Sequence, residues 1–405
     1  MLPTVGRVTR TVRRLDYITS RNSEKNMRFL HTSDWHLGKS LGGRDMVEDQ
    51  RFALARIRDH LRDEAYDLLV IAGDMFDRAT PSEEAVELLG DWLGEVRAFK
   101  PKLPIVIIAG NHDNGPRLAW TSSLLDYQGV YLRGSPDKVD SPIVVHGAGG
   151  VTAEVWAVPY LLPSAMSEAA PSQAGAMQEA INRISARQDR SLAQVLVAHC
   201  FVVDGQTSDS ERSLVGTATQ IDPTVFAGFD YVALGHLHRP QSVAKNARYS
   251  GSIARYSFSE AGHAKAMLDV TVAPGVPHVC VSHPLPTLRP MRRIEDTFEA
   301  LRTDPKYDDQ LDAYVELTLN PTVDVGNPLD VLHQRWPHIR SFRNELQSPV
   351  GALSTVRDGT GDGPRDLLVD FLDFDKRFAA SDTPPEAVLA AFHTLLARLP
   401  EEVTE

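Results

Sequence analysis

The sequence predicts a layered α/β protein, and three observations carry that prediction. Apolar runs of four or five residues recur between Phe29 and His238, unbroken by polar residues, as strands covered on both faces are. A helix-like stretch separates the first two: Leu54, Ile57 and Leu61 share one face, and Glu48, Asp49 and Arg51 point elsewhere. Tight turns follow several of the runs, with glycine at Gly73, Gly110 and Gly235.

In chain order, a basic leader comes first. Residues 1–26, with Arg7, Arg10, Arg13, Arg14, Arg21 and Lys25, have no period that could bury a face, so a disordered leader is expected, with Met27 as an alternative start. The first strand holds Phe29 and Leu30, the second Leu68–Ala72 and the third Ile105–Ala109; "QVLVAH" and "YVALGHLH" supply two more. With the turns among them they form one domain over residues 27–280. From 281 to 349 the pattern changes to a small α+β unit. There "MRRIED", "AYVELTLN" and "IRSFRNEL" read as strands, and "TFEALRT" and "NPLDVLHQRW" as helices. Residues 350–366 are rich in glycine and polar residues and read as a linker. Over 367–405, Leu367, Leu368, Phe371 and Leu372 precede a helix opened by Pro384 and Pro385. Val388, Phe392, Leu395, Leu396 and Leu399 form its stripe, so this helical tail needs a surface to cover it.

Composition narrows the class. With 405 residues, 42% hydrophobic and 24% charged, the chain suits two or three globular domains. No apolar run is long enough for a bilayer, and the start lacks the charged-then-apolar order of a secretory signal, so a cytoplasmic protein is expected. Cys200 and Cys280 could pair only once. A net charge of −12 weighs against a nucleic-acid partner on average, but it omits local patches and bound cations.

The ends of the strands carry the chemistry. "SDWHLGKS" delivers Asp34 and His36, "GDMFD" Asp74 and Asp77, and "GNHD" Asn111, His112 and Asp113; the last two strands deliver His199, then His236 and His238. Taken singly, each short motif is explained as a helix cap or turn. "GHLH" says more, because histidines two apart on an extended segment face the same way. In open α/β sheets functional groups gather beyond the carboxyl ends of strands, so the five loops can converge on one site. Carboxylate, imidazole and amide donors without thiolate suit Mn²⁺ or a similar divalent ion better than structural zinc. Cys200, next to His199, faces the opposite side of its strand and is expected to be a buried thiol. His31 and His146, on or near apolar segments, are expected to be structural.

"LHTSDWHLG", "AGDMFD", "AGNHD" and "YVALGHLHR" resemble the calcineurin-like metallophosphoesterases, and more closely the SbcD nuclease subunits, bacterial relatives of the eukaryotic double-strand-break repair nuclease. The resemblance runs from Met27 nearly to the end. It implies a β-sandwich flanked by helices, a capping domain that positions DNA, and a helical tail that grips SbcC, an SMC-like ATPase. It further implies that Asp34, His36 and His238 hold one metal and Asn111, His199 and His236 the other, with Asp74 between them; Mn²⁺ is expected, with Mg²⁺ as the alternative. His112 would serve the phosphate or the leaving oxygen, oriented by Asp77; a rival reading gives His112 to Asp113 and makes Asp77 a helix cap. Arg292, Arg293, Arg340 and Arg343 are candidates for phosphate contact. The implied activity is that of a homodimeric DNA exonuclease and endonuclease in repair, recombination and replication, acting on duplex ends, hairpins and single strands. A small-molecule phosphodiesterase and a non-catalytic DNA-bridging scaffold are the alternatives. Ile253 stands in "SGSIARYSF" where relatives often carry proline, a change that leaves the ligands untouched.

Overall fold

Two six-stranded sheets stack face to face in the computed structural model, which describes residues 26–344 apart from 164, 167–171, 212–219 and 322–326. The leader, the linker and the tail expected from the sequence lie almost wholly outside the described residues. In chain order the sandwich strands are β1 Met27–Thr32, β2 Leu68–Ile71, β3 Ile105–Ile108, β4 Val130–Arg133, β5 Ile143–His146, β6 Thr152–Val158, β7 Ala193–His199, β8 Tyr231–Gly235, β9 Gln241–Ser242, β10 Ala247–Tyr249, β11 Lys265–Ala273 and β12 Val276–Leu285. The first sheet runs β12-β11-β1-β2-β3-β4 and the second β9-β10-β8-β7-β6-β5.

Strand alternation explains the layers. Phe29, Leu68, Val70, Val106 and Ile108 point from the first sheet into the core shared with Val195, Val197 and Ala233 of the second. Their neighbours Leu30, Leu69, Ile71, Ile105 and Ile107 point outward, beneath helices α1 (Val47–Asp63) and α2 (Glu83–Phe99). The outer face of the second sheet, with Leu196, Val232 and Leu234, packs on Ala176, Ala180 and Ile184 of α3 (Gln173–Ser185). Both faces of the central strands are therefore apolar, which is why they read as unbroken runs. His31 bridges the sheets as a structural histidine: it is fully buried, with Nδ1 3.1 Å from the Tyr231 hydroxyl and Nε2 3.2 Å from the Leu234 carbonyl. His146 is exposed on β5, 3.0 Å from the Thr152 hydroxyl. Cys200 is buried in the apolar layer under α3.

Strand β12 continues through 281 to Leu285, paired antiparallel with β11, so the sandwich extends past residue 280 and the smaller unit begins at Met291. That unit is a parallel three-stranded sheet, β13 Met291–Asp296, β14 Tyr314–Leu319 and β15 Ile339–Arg343, with short helices α4 Phe298–Thr303 and α5 Pro328–His333. Leu301, Leu317, Leu332 and Trp336 form its core, and the indole of Trp336 donates to the Leu301 carbonyl at 2.8 Å. Where this unit meets the sandwich, Asp49 of α1 is buried and accepts the Tyr314 hydroxyl at 2.6 Å, while Arg289 and Arg340 lie over the Tyr314 ring.

Candidate metal centre

Strands β1, β2 and β3 are mutually parallel, as are β7 and β8, and their carboxyl ends meet at one end of the sandwich. The backbone turns sharply there. Asp34, His36, Asp74 and His236 have φ of 54°, 45°, 50° and 112°, left-handed conformations that cost a non-glycine residue on the order of 1–3 kcal/mol each. These turns bring the loops together: the His236 amide donates to Asp34 Oδ1 at 2.9 Å, and the Asp34 amide donates to the Gly73 carbonyl at 3.0 Å. A Cβ on Gly73 would strike the His199 ring, and one on Gly110 the Asp74 carboxylate.

All seven residues expected as ligands line this space. Asp34, His36, Asp74, His199, His236 and His238 are buried, and Asn111 is half-buried. On one side His36 Nε2 lies 3.0 Å from His238 Nε2, with Asp34 close enough to share a cation with both rings. On the other, Asn111 Oδ1 lies 2.9 Å from both His199 Nε2 and His236 Nδ1. Asp74 Oδ2 stands between the groups, 3.5 Å from His36 Nε2 and 3.4 Å from His199 Nε2.

These spacings fit divalent ions. Two donors about 2.1 Å from one ion and at right angles are about 3.0 Å apart, the separation of each close donor pair here. His36 makes the same point chemically. Its buried Nδ1 has no hydrogen-bond partner at ordinary distance, and the nearest carboxylate oxygen, on Asp77, is 3.5 Å away. Placing the proton on Nδ1, toward that carboxylate, leaves the Nε2 lone pair facing His238, an arrangement that a shared cation resolves. Burial lowers His36 to about 4 and His236 to about 3, so both rings are neutral and ligand-competent near pH 7. Burial pushes Asp34 up to about 8, with Asp74 adding repulsion against the pull of His199. Burial would also raise Asp74, but His199 and His36 outweigh it and hold that carboxyl well below its usual range. His199 in turn is lifted to about 9, because Asp74 outweighs the burial that opposes its charge.

His112 adjoins these residues, close enough to His36 and Asp77 for the three to share a cation. It is 3% exposed, its amide donates to Asp74 Oδ1 at 2.9 Å, and its ring packs edge-on to His36. Its Nδ1 donates to the backbone carbonyl of Asp77 at 2.8 Å; the Asp77 carboxylate is 3.8 Å away and accepts Lys39 Nζ at 2.6 Å. Asp77 thus holds His112 through its main chain. Asp113 gives both oxygens to the backbone: Oδ2 accepts Met75 and Gly110 N–H at 3.1 and 2.9 Å, and Oδ1 accepts Phe76 N–H at 2.9 Å. The cap of α2 is Ser82, not Asp77.

Sequence reasoning missed the supports of His238. Its Nδ1 is 2.7 Å from Ser210 Oγ and 3.2 Å from Glu260 Oε1, and Lys265 binds Glu260 from the far side. None of these lies in a strand-end motif. Among the arginines proposed for phosphate, Arg293 and Arg343 both pair with Glu316.

A buried set of carboxylates, imidazoles and one amide at converging strand ends makes a candidate site for divalent metal. The calcineurin-like phosphoesterase model matches residues 27–240, more than half of the chain, and the protein belongs to that family of metal-dependent phosphoester hydrolases. Among solved structures it is similar to GAP50, the anchor in the inner membrane complex of Plasmodium, at 15% identity and TM-score 0.38, over 66% of this chain and 90% of that one. It is also similar to a dimetal phosphatase from Danio rerio, at 12% identity and TM-score 0.37, over 63% of this chain and 98% of the other. Among the described residues, no helix is long and apolar enough to cross a membrane.

Proposed function

We propose that this phosphoesterase is a manganese-dependent DNA nuclease of the SbcD kind, cytoplasmic and homodimeric, which trims duplex ends 3′→5′ and cuts hairpins and single strands. Asp34, His36 and His238 would hold one cation, Asn111, His199 and His236 the other, and Asp74 both; Mg²⁺ is the alternative to Mn²⁺. Bound there, two divalent cations supply Lewis-acid stabilisation of charge developing on a phosphodiester. His112, aimed by the Asp77 carbonyl, delivers a proton to the leaving oxygen.

The observation that carries the choice of DNA over a small ester is the α+β unit packed beside this centre. Tyr314 anchors it on Asp49 of α1, the helix that follows the His36 loop, and Arg293 lies 3.7 Å from Asp209, next to the Ser210 that touches His238. A small phosphoester needs no such flanking unit, whereas a duplex does. Exposed Arg78 and Arg239 directly follow two of the site motifs and supply a positive rim despite the net charge of −12. Exposed Trp120, Leu124 and Tyr127, close to the apolar groove bounded by Val86 and Leu93, support the homodimer. SbcC binding is assigned to the tail of residues 367–405.

Competition tests the substrate. Hydrolysis of bis(p-nitrophenyl) phosphate in Mn²⁺ should be inhibited competitively by linear duplex DNA at low salt. Hydrolysis that DNA leaves untouched would make the protein a small-molecule phosphodiesterase instead.

A further inference from the structure

His238 is held at three points by side chains outside the ligand set. Glu211 Oε1 accepts its amide at 2.7 Å, Lys265 Nζ donates to its carbonyl at 2.8 Å, and Ser210 and Glu260 face Nδ1 of its ring. Glu260 and Lys265 are a carboxylate and an ammonium at 0% and 2% exposure. Burying such a pair is costly unless every donor and acceptor is matched. Here they are matched. The ammonium has three N–H donors and uses all of them, on Glu260 Oε2 at 2.5 Å, Ser252 Oγ at 2.7 Å and the His238 carbonyl at 2.8 Å. The other carboxylate oxygen, Oε1, accepts the Ser210 hydroxyl and faces His238 Nδ1 at 3.2 Å.

Proton positions follow. Ser210 has one proton, and it goes to Glu260, so both neighbours of His238 Nδ1 present lone pairs. The ring must place its proton on Nδ1, and Nε2, the atom 3.0 Å from His36 Nε2, is left with its lone pair directed into the centre. We infer that Glu260, polarised by Lys265, is a positioning residue that selects the metal-binding tautomer of His238. The inference rests on the dinuclear reading of the site.

A sharp consequence distinguishes this from a merely structural ion pair. In Glu260→Gln the amide has one acceptor and one donor end. Lys265, which can only donate, takes the oxygen, and the NH₂ group is turned toward His238 Nδ1. Ser210, now accepting from that NH₂ group, turns its own proton to Nδ1, so the ring accepts there and carries its proton on Nε2, the wrong tautomer for a ligand. Adding Lys265→Met releases the amide to turn its oxygen back to Nδ1–H.

Calorimetric titration of the metal-free full-length chain with Mn²⁺ reads this directly. The wild type should bind two ions; Glu260→Gln should weaken one of them about 10- to 100-fold, as loss of an outer partner to a ligating histidine does. The double variant Glu260→Gln/Lys265→Met should recover most of that loss. Two ions at wild-type affinity in Glu260→Gln, or a double variant no better than the single one, overturns the inference. Nitrogen-15 shifts of the histidine rings in the metal-free wild type test it without any variant at position 260, with His238 assigned by the signal lost in His238→Gln. The inference requires a protonated Nδ1 and a bare Nε2, and the opposite tautomer overturns it. A wild type that takes up no Mn²⁺ would defeat the dinuclear reading, while the ring shifts would still decide the role of Glu260.

Discussion

Asp113 offers the most quantitative test of how the centre is assembled. Its carboxylate accepts three backbone N–H groups, from Met75 and Phe76 in the loop that carries Asp74 and from Gly110 in the loop that carries Asn111. It therefore ties the Asp74 loop to the Asn111 loop. A hydrogen bond to a charged group contributes about 1.5–3 kcal/mol, so Asp113→Ala should cost about 4–5 kcal/mol even at the low end. Asp113→Asn is the finer probe. Its carbonyl can replace Oδ2, which serves Met75 and Gly110, but its NH₂ group must then oppose the Phe76 N–H. One bond is lost and two lose their charge, for about 2–4 kcal/mol in total. Urea unfolding of the metal-saturated protein measures this. A calorimetric Mn²⁺ titration should show weaker binding alongside, because Asp74 and Asn111 are no longer held together. An Asp113→Asn variant within about 0.5 kcal/mol of wild type, with unchanged Mn²⁺ affinity, would refute the assignment.

Three further outcomes follow from the geometry. His112→Ala should lower turnover on the order of 10²–10⁴-fold with both ions retained, whereas Asp77→Asn, which keeps the carbonyl that aims His112, should cost less than about tenfold; steady-state rates with metal analysis compare them. His31 is lowered by burial from 6.5 to about 3, so the unfolded chain binds the proton first as pH falls. Its contribution is present above pH 6.5 and is lost progressively toward pH 3, about 2 kcal/mol of it between pH 7 and 5. Urea midpoints should therefore fall less over that interval in His31→Asn than in wild type, and equal falls would contradict the burial argument. If the chain forms the homodimer proposed above, Trp120→Glu with Tyr127→Glu should give monomer by light scattering without altering Mn²⁺ content; a variant that stays dimeric places the dimer surface elsewhere.

The strand-end residues were legible because each signal is local: a buried run, a turn, and the donor beyond it lie within a dozen residues. Strands with mixed faces were not. Strand β6 carries Glu154, buried because Gln194 and the Asp189 amide satisfy it, and β12 interleaves proline, histidine and exposed valines along the sheet edge, so neither reads as an apolar run. The burial of Asp49, off the apolar stripe of its helix, was not legible because its partner Tyr314 is 265 residues away. Glu260 and Lys265 escaped for a related reason. A buried ion pair is recognisable only by the partners that compensate its charge, and those partners are assembled by the fold.

The most direct test of the central claim is release of nucleotides from end-labelled linear duplex DNA by the purified chain in Mn²⁺, with EDTA and His112→Ala as controls. A dinuclear DNA phosphodiesterase predicts release that EDTA abolishes and that His112→Ala loses while still binding two ions. No release from the wild type, with or without SbcC, would contradict it.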